Sequence, residues 1–129
     1  MDYAVEIKFK KLVAELEETF GGGLDVQAIL FLIGVQELGK GRQTFSKRQK
    51  TELMHVAVCT LLEPYGFYKT LGRDKDNWPH FEFIKELPPL DERQQQHLMK
   101  EAILDYFDAE KQENPENIEL PEVLRYNEN

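Results

Sequence analysis

Residues 72–83 read GRDKDNWPHFEF, and the architecture turns on whether this acid- and asparagine-rich run is a binding loop or the turn of a hairpin. Asp74, Asp76 and Asn77 offer oxygen ligands at close spacing. A calcium loop counted from Asp74 would need glycine at its sixth position and glutamate at its twelfth, where the chain has Pro79 and Lys85. Glycine, aspartate and asparagine are also what a turn requires, because Asn and Asp tolerate left-handed backbone and hydrogen-bond their own chain. The runs on either side, residues 67–71 and 80–85, are aromatic-rich or alternating, so the stretch reads as a two-stranded hairpin in which His80 opens the returning strand. Two strands alone are marginal in water. Phe67, Trp78, Phe81 and Phe83 are therefore expected to pack the hairpin against helices.

Outward from the hairpin the pattern is helical. Val5, Phe9, Leu12, Val13, Leu16 and Phe20 recur at helical spacing over residues 3–20, and Gly21, Gly22 and Gly23 end that run. Asp25 is placed to cap a second helix reaching residue 38, whose centre AILFLIGV is apolar on all sides. Ser46 followed by Gln49 is a capping-box pattern for a third helix to about residue 63, with Leu53, Met54, Ala57, Val58, Leu61 and Leu62 on one broad face. Asp91 with Gln94 caps a fourth to about residue 110, with Leu98, Met99, Ala102, Ile103, Tyr106 and Phe107 along its face. The reading is a mainly α fold: a four-helix domain over residues 1–110, with a small β-hairpin near residues 67–85 between the third and fourth helices. Residues 111–129 read as an acidic, partly flexible tail whose Ile118, Leu120, Val123, Leu124 and Tyr126 are possible docking side chains.

The chain has 129 residues, enough for one domain with a core of several helices. Its single cysteine, Cys59, forms no internal disulfide, and neither a signal peptide nor a membrane-spanning run is legible, so the expected compartment is the cytoplasm. The net charge of -8 disfavours broad adhesion to nucleic acid or anionic lipid. Charge is nevertheless segregated. Residues 40–51, KGRQTFSKRQKT, hold five basic residues and no acid, so the net -8 divides into +5 here and -13 elsewhere.

That basic segment supplies the main candidate site. Lys47 and Arg48 occupy the first turn of the third helix, where unpaired amides already carry partial positive charge and cations are unfavourable by about 0.3–1 kcal/mol each. An anion held by Lys40, Arg42, Ser46, Lys47, Arg48 and Lys50 together with the helix amides would resolve the conflict. So would the chain's own acids, including Glu113, Glu116, Glu119 and Glu122 of the tail. Glu52, His55, Cys59 and Glu63 fall on one face of the third helix and form an alternative, zinc-competent set, with His55 and Cys59 also a base and nucleophile pair. An inert apolar role is the commoner one for a lone cysteine. Residues 34–41, GVQELGKG, match the phosphate-loop pattern until its chemical end, where Gly41 stands in place of the magnesium-binding Ser or Thr. No triad, carboxylate pair or cofactor fingerprint remains, and no cofactor is expected.

The order of elements, three helices, a hairpin and a further helix, resembles the winged-helix arrangement of many transcription regulators over residues 3–85. The resemblance implies an α+β fold whose third helix reads DNA and whose hairpin is a wing, with Arg73 and Lys75 near phosphate. Two features oppose it: residues 39–45 exceed the usual short turn, and the chain is acidic. The favoured expectation is a non-catalytic intracellular interaction or regulatory domain that binds a protein partner or a second copy of itself. Nucleic acid ranks behind these, and membrane is not expected.

Overall fold

The computed structural model describes residues 3–40 and 43–113, with side chains given as far as residue 109. Its elements run α1 (Tyr3–Phe20), α2 (Val26–Leu38), α3 (Lys47–Leu62), β1 (Tyr68–Arg73), β2 (Pro79–Phe83) and α4 (Glu92–Glu113). The fold is mainly α with a small antiparallel hairpin between α3 and α4, as the sequence predicts. The tail side chains named above, and Arg42, lie outside the described residues; α4 runs past its expected end near residue 110.

The helices begin and end for local reasons. Glu17 reaches past the end of α1 and accepts from the amides of Gly23 and Leu24 at 2.8 and 3.1 Å. The end of α2 turns at Gly39, whose φ of 74° lies in the left-handed region that glycine reaches without a Cβ clash. α3 opens on a complete capping box: the Ser46 hydroxyl accepts from the Gln49 amide at 3.1 Å and the Gln49 side chain accepts from the Ser46 amide at 2.9 Å. α4 repeats the device with Asp91 and Gln94, at 2.8 and 3.0 Å. Each cap satisfies amides that have no intrahelical acceptor, a contribution of about 1 kcal/mol apiece.

The described chain divides into two compact units, one holding α1 and α4 and the other, residues 27–89, holding α2, α3 and the hairpin. In the first, Lys100 of α4 donates to Glu6 of α1 at 3.0 Å and sits over the Phe9 ring, 5.4 Å from its centroid. Val5, Phe9, Leu12, Leu16, Ala102, Ile103 and Phe107 are buried, while Val13, Phe20, Leu98, Met99 and Tyr106 are only half-buried.

In the second unit α2 and α3 meet at Gly34, where a Cβ would lie 2.2 Å from the Leu53 carbonyl oxygen. Contact this close needs a residue with no side chain. Beside the crossing, Leu38, Phe45 and Leu53 form a buried cluster with Phe31, Val35 and Trp78 packed on it. Phe45 stands edge-on to Phe31, with centroids 6.0 Å apart, so the link between α2 and α3 is anchored by its own aromatic side chain. Gly34 is in a helix interior and α2 continues to Leu38, so residues 34–38 are helix where a phosphate-binding loop would have to be open.

The hairpin pairs Tyr68 with Phe83, Lys69 with Glu82 and Thr70 with Phe81, then shifts register between Thr70 and Gly72. Trp78 and Phe81 are half-buried as expected; Phe83 is not, and stands 56% exposed. Its ring and that of Tyr68 are steeply inclined with centroids 5.7 Å apart, and the Tyr68 ring stands perpendicular to that of His55 of α3 with centroids 6.3 Å apart.

Candidate functional site

The stretch at residues 72–83 is a turn, and its side chains tie the hairpin to α2. Asp74 accepts from the amides of Asp76 and Trp78 at 2.9 and 3.0 Å, closing the loop on itself. Its other oxygen lies 2.9 Å from His80 Nε2. The bond to His80, followed by the two amides, holds the Asp74 carboxyl below the ordinary carboxylate range. Arg73 donates to the carbonyls of Glu37, Leu38 and Asn77, and the Asn77 side chain donates to the Leu38 carbonyl at 3.2 Å. The Glu37 and Leu38 carbonyls are among the orphan acceptors at the C-terminus of α2. Arg73, expected from the winged-helix resemblance to face phosphate, instead caps a helix of its own chain.

The basic segment lies at the start of α3, where the sequence places it. α3 begins at Lys47, its first turn contains no acid, and Lys40, Ser46, Lys47, Arg48 and Lys50 are all exposed. Among the described residues an ion pair joins Arg48 Nε to Glu52 at 3.3 Å, with both side chains open to solvent. Such an i, i+4 pair contributes only about 0.3–0.5 kcal/mol. The capping box engages the Gln49 amide; the two preceding positions, Lys47 and Arg48, have no intrahelical acceptor by helix geometry.

The four residues of the proposed metal face go separate ways. Glu52 is drawn to Arg48, and Glu63 accepts from the Thr70 amide of β1 at 3.0 Å. Cys59 is 1% exposed, in keeping with the inert apolar role that is the commoner one for a lone cysteine, and Val56 is buried as well. Among the described residues no group of three or more His, Cys, Asp or Glu side chains is arranged to hold a metal ion. His55 Nε2 does lie 3.5 Å from Cys59 Sγ. Burial pushes the thiol up to about 11, the opposite of the depressed value an activated nucleophile needs. At pH 7.5 a thiol of this kind is thiolate in roughly one molecule in a few thousand. Alkylation of native Cys59 by iodoacetamide is therefore expected to be about 100-fold or more slower than in denaturant. Comparable rates would show an open, reactive thiol.

What these elements build together is a cleft of about 560 Å³ between α3 and the hairpin, lined by Gln49, Thr51, Glu52, His55, Val56, Asp74, Trp78, Pro79 and His80. Sequence reasoning singled out several of these residues but did not join them. Their convergence depends on the hairpin lying along α3, and the one legible hint was the aromatic excess at the end of the loop. Compared with protein-family models, curated proteins and solved structures, the chain gives no significant match. Among the described residues no helix is long and apolar enough to cross a membrane.

Proposed function

We propose that the chain is a non-catalytic interaction domain that engages a protein partner through its hairpin and the segment that follows it. One observation carries this reading. Leu71, Phe83, Ile84 and Leu87 stand 63%, 56%, 49% and 39% exposed, four large apolar side chains gathered on the hairpin and within four residues of its end. Scattered exposed apolar residues are normal, whereas grouped ones mark interaction sites. Against catalysis stand the buried, protonated Cys59 and the Asp74 and Arg73 side chains committed to the loop and to α2. The test is a photo-crosslinker in place of Phe83. It should capture a defined protein, in lysate from the source organism or as a second copy of the chain, in a product that Leu71→Ser with Ile84→Ser abolishes. No defined product, or one indifferent to those changes, counts against the reading.

The exposed cations of α3 followed by a two-stranded hairpin favour a second reading, a winged-helix-like DNA-binding regulator. Its signature is duplex association that weakens steeply with salt and with Lys47, Arg48 and Lys50 changed to alanine. The commitment of Arg73 to carbonyls of its own chain removes one of the two wing cations on which that reading relied.

A further inference from the structure

Resting on the interaction reading above, we propose that the outer edge of β2 pairs antiparallel with β2 of a second copy of this chain, joining two hairpins into one four-stranded sheet. The hydrogen bonds of the hairpin identify the open edge. Along an antiparallel pair, residues bonded to the opposite strand alternate with residues whose N–H and C=O point away from it. The Ile84 amide donates to the Phe67 carbonyl at 2.9 Å, so in the pairs Tyr68 with Phe83 and Thr70 with Phe81 the backbone groups turn outward. Thr70 agrees: its amide donates to Glu63 of α3 at 3.0 Å. The edge of β1 is thereby covered in part by its own chain. On the opposite side, among the described residues, no acceptor is placed on the Phe81 or Phe83 amide.

What fits such an edge is another extended strand, and the chain's own β2 answers to it. Two strands are marginal in water, whereas a wider sheet with an apolar face is not; self-pairing supplies that width. Charge permits it here. Residues 67–87 hold four Lys or Arg and four Asp or Glu, so the hairpin is neutral in a chain whose total is -8, and two copies meet at it without a local excess of like charge. The sequence of β2 also selects a register. Centring the two-fold pairing on Glu82 or on Ile84 sets Glu82 opposite itself or opposite Glu86, and like charges directly opposed are destabilising. Centring it on Phe81 sets Phe83 opposite Pro79, which has no N–H to donate. Centred on Phe83, the pairing avoids both: Glu82 lies opposite Ile84, Phe81 opposite Lys85, and the two Phe83 residues meet at the axis. Phe83 and Ile84, 56% and 49% exposed in the single chain, are then covered at the seam.

The experiment is sedimentation of the full-length chain over a concentration series, with amide exchange followed residue by residue at both ends of the series. A monomer–dimer equilibrium is expected, in which the Phe81 and Phe83 amides exchange about tenfold or more slowly at high concentration than at low. Glu82 and Ile84, already bonded within the hairpin, should change far less. Phe83→Lys opposes two like charges at the axis and is expected to weaken dimerisation about tenfold or more. Its melting temperature at low concentration, compared with that of the unaltered chain, separates lost pairing from lost fold. Phe83→Cys reads the register independently: under mild oxidation it should form a covalent dimer much faster than Lys69→Cys, whose exposed site is on β1, away from the axis. A chain that stays monomeric overturns the inference. So does a dimer whose Phe81 and Phe83 amides exchange at rates independent of concentration, one indifferent to Phe83→Lys, or equal cross-linking of the two cysteine variants. Photo-capture of a different protein at Phe83 by a chain that sediments as a monomer leaves the interaction reading standing and rejects the second copy alone. No product at Phe83 rejects both.

Discussion

Gly34→Ala is expected to destabilise the protein by about 2 kcal/mol or more, with unfolding shifted to lower urea and the melting temperature lowered by roughly 6–10 °C. On propensity alone the change should help, since alanine is better than glycine in a helix interior by about 1 kcal/mol. The crossing with α3 reverses the sign. A Cβ on Gly34 would lie 2.2 Å from the Leu53 carbonyl oxygen, 2.7 Å from the carbonyl carbon and 2.9 Å from the Leu53 Cβ. Two of those atoms are backbone, so no rotamer change relieves the overlap and the helices must separate. Separation loosens the cluster of Leu38, Phe45 and Leu53, which is the wall against which Trp78 and hence the cleft are set. Gly22→Ala is the control, because a Cβ there meets nothing within 4 Å and the expected change is within about 0.5 kcal/mol. Equal or greater stability of Gly34→Ala would mean that α2 and α3 do not approach this closely.

The two glycines differ in how well the sequence announces them. Gly22 lies in a run of three that breaks the apolar period of α1, and both the break and the helix before it are legible. Gly34 sits inside an apolar run, where it resembles the start of a phosphate loop as readily as a helix crossing. Only the partner helix, nineteen residues further on at Leu53, decides between them. The same distinction runs through the candidate site. Ser46 and Gln49 are three residues apart and their capping box is a local bond, so the start of α3 could be read to the residue. Cys59 shares a helical stripe with Glu52, His55 and Glu63, and the stripe taken alone puts it with three polar side chains. That argument treats the helix as if it stood alone; packing within the fold buries a wider arc that includes Val56 and Cys59. Periodicity gives the faces of a helix but not how many neighbours cover them.

Loop residues 73–77 carry this point into energetics. From sequence they are turn formers, and Arg73 is a spare cation. α2 has no basic residue in its last turn, although the C-terminal end of a helix favours positive charge. The cation arrives from the hairpin: Arg73 donates to the carbonyls of Glu37, Leu38 and Asn77, spanning 35 residues to reach Leu38 at 3.3 Å. A guanidinium suits this place because its planar fork serves several acceptors at once. Arg73→Met keeps much of the aliphatic stem and removes the donors, leaving part-buried carbonyls with fewer partners. Hydrogen bonds to a charged group contribute about 1.5–3 kcal/mol, discounted here because Arg73 is exposed, so the expected loss is about 1 kcal/mol in urea unfolding. Amide exchange should rise first across the hairpin and the last turn of α2, because the arginine tie is then gone while the 3.2 Å bond of Asn77 to Leu38 and the packing of Trp78 remain. Arg73→Lys should recover part of the loss, since it restores the charge without the fork. A loss below about 0.5 kcal/mol for Arg73→Met would place it among ordinary surface changes and show that packing of Trp78, and not the arginine, holds the hairpin to α2.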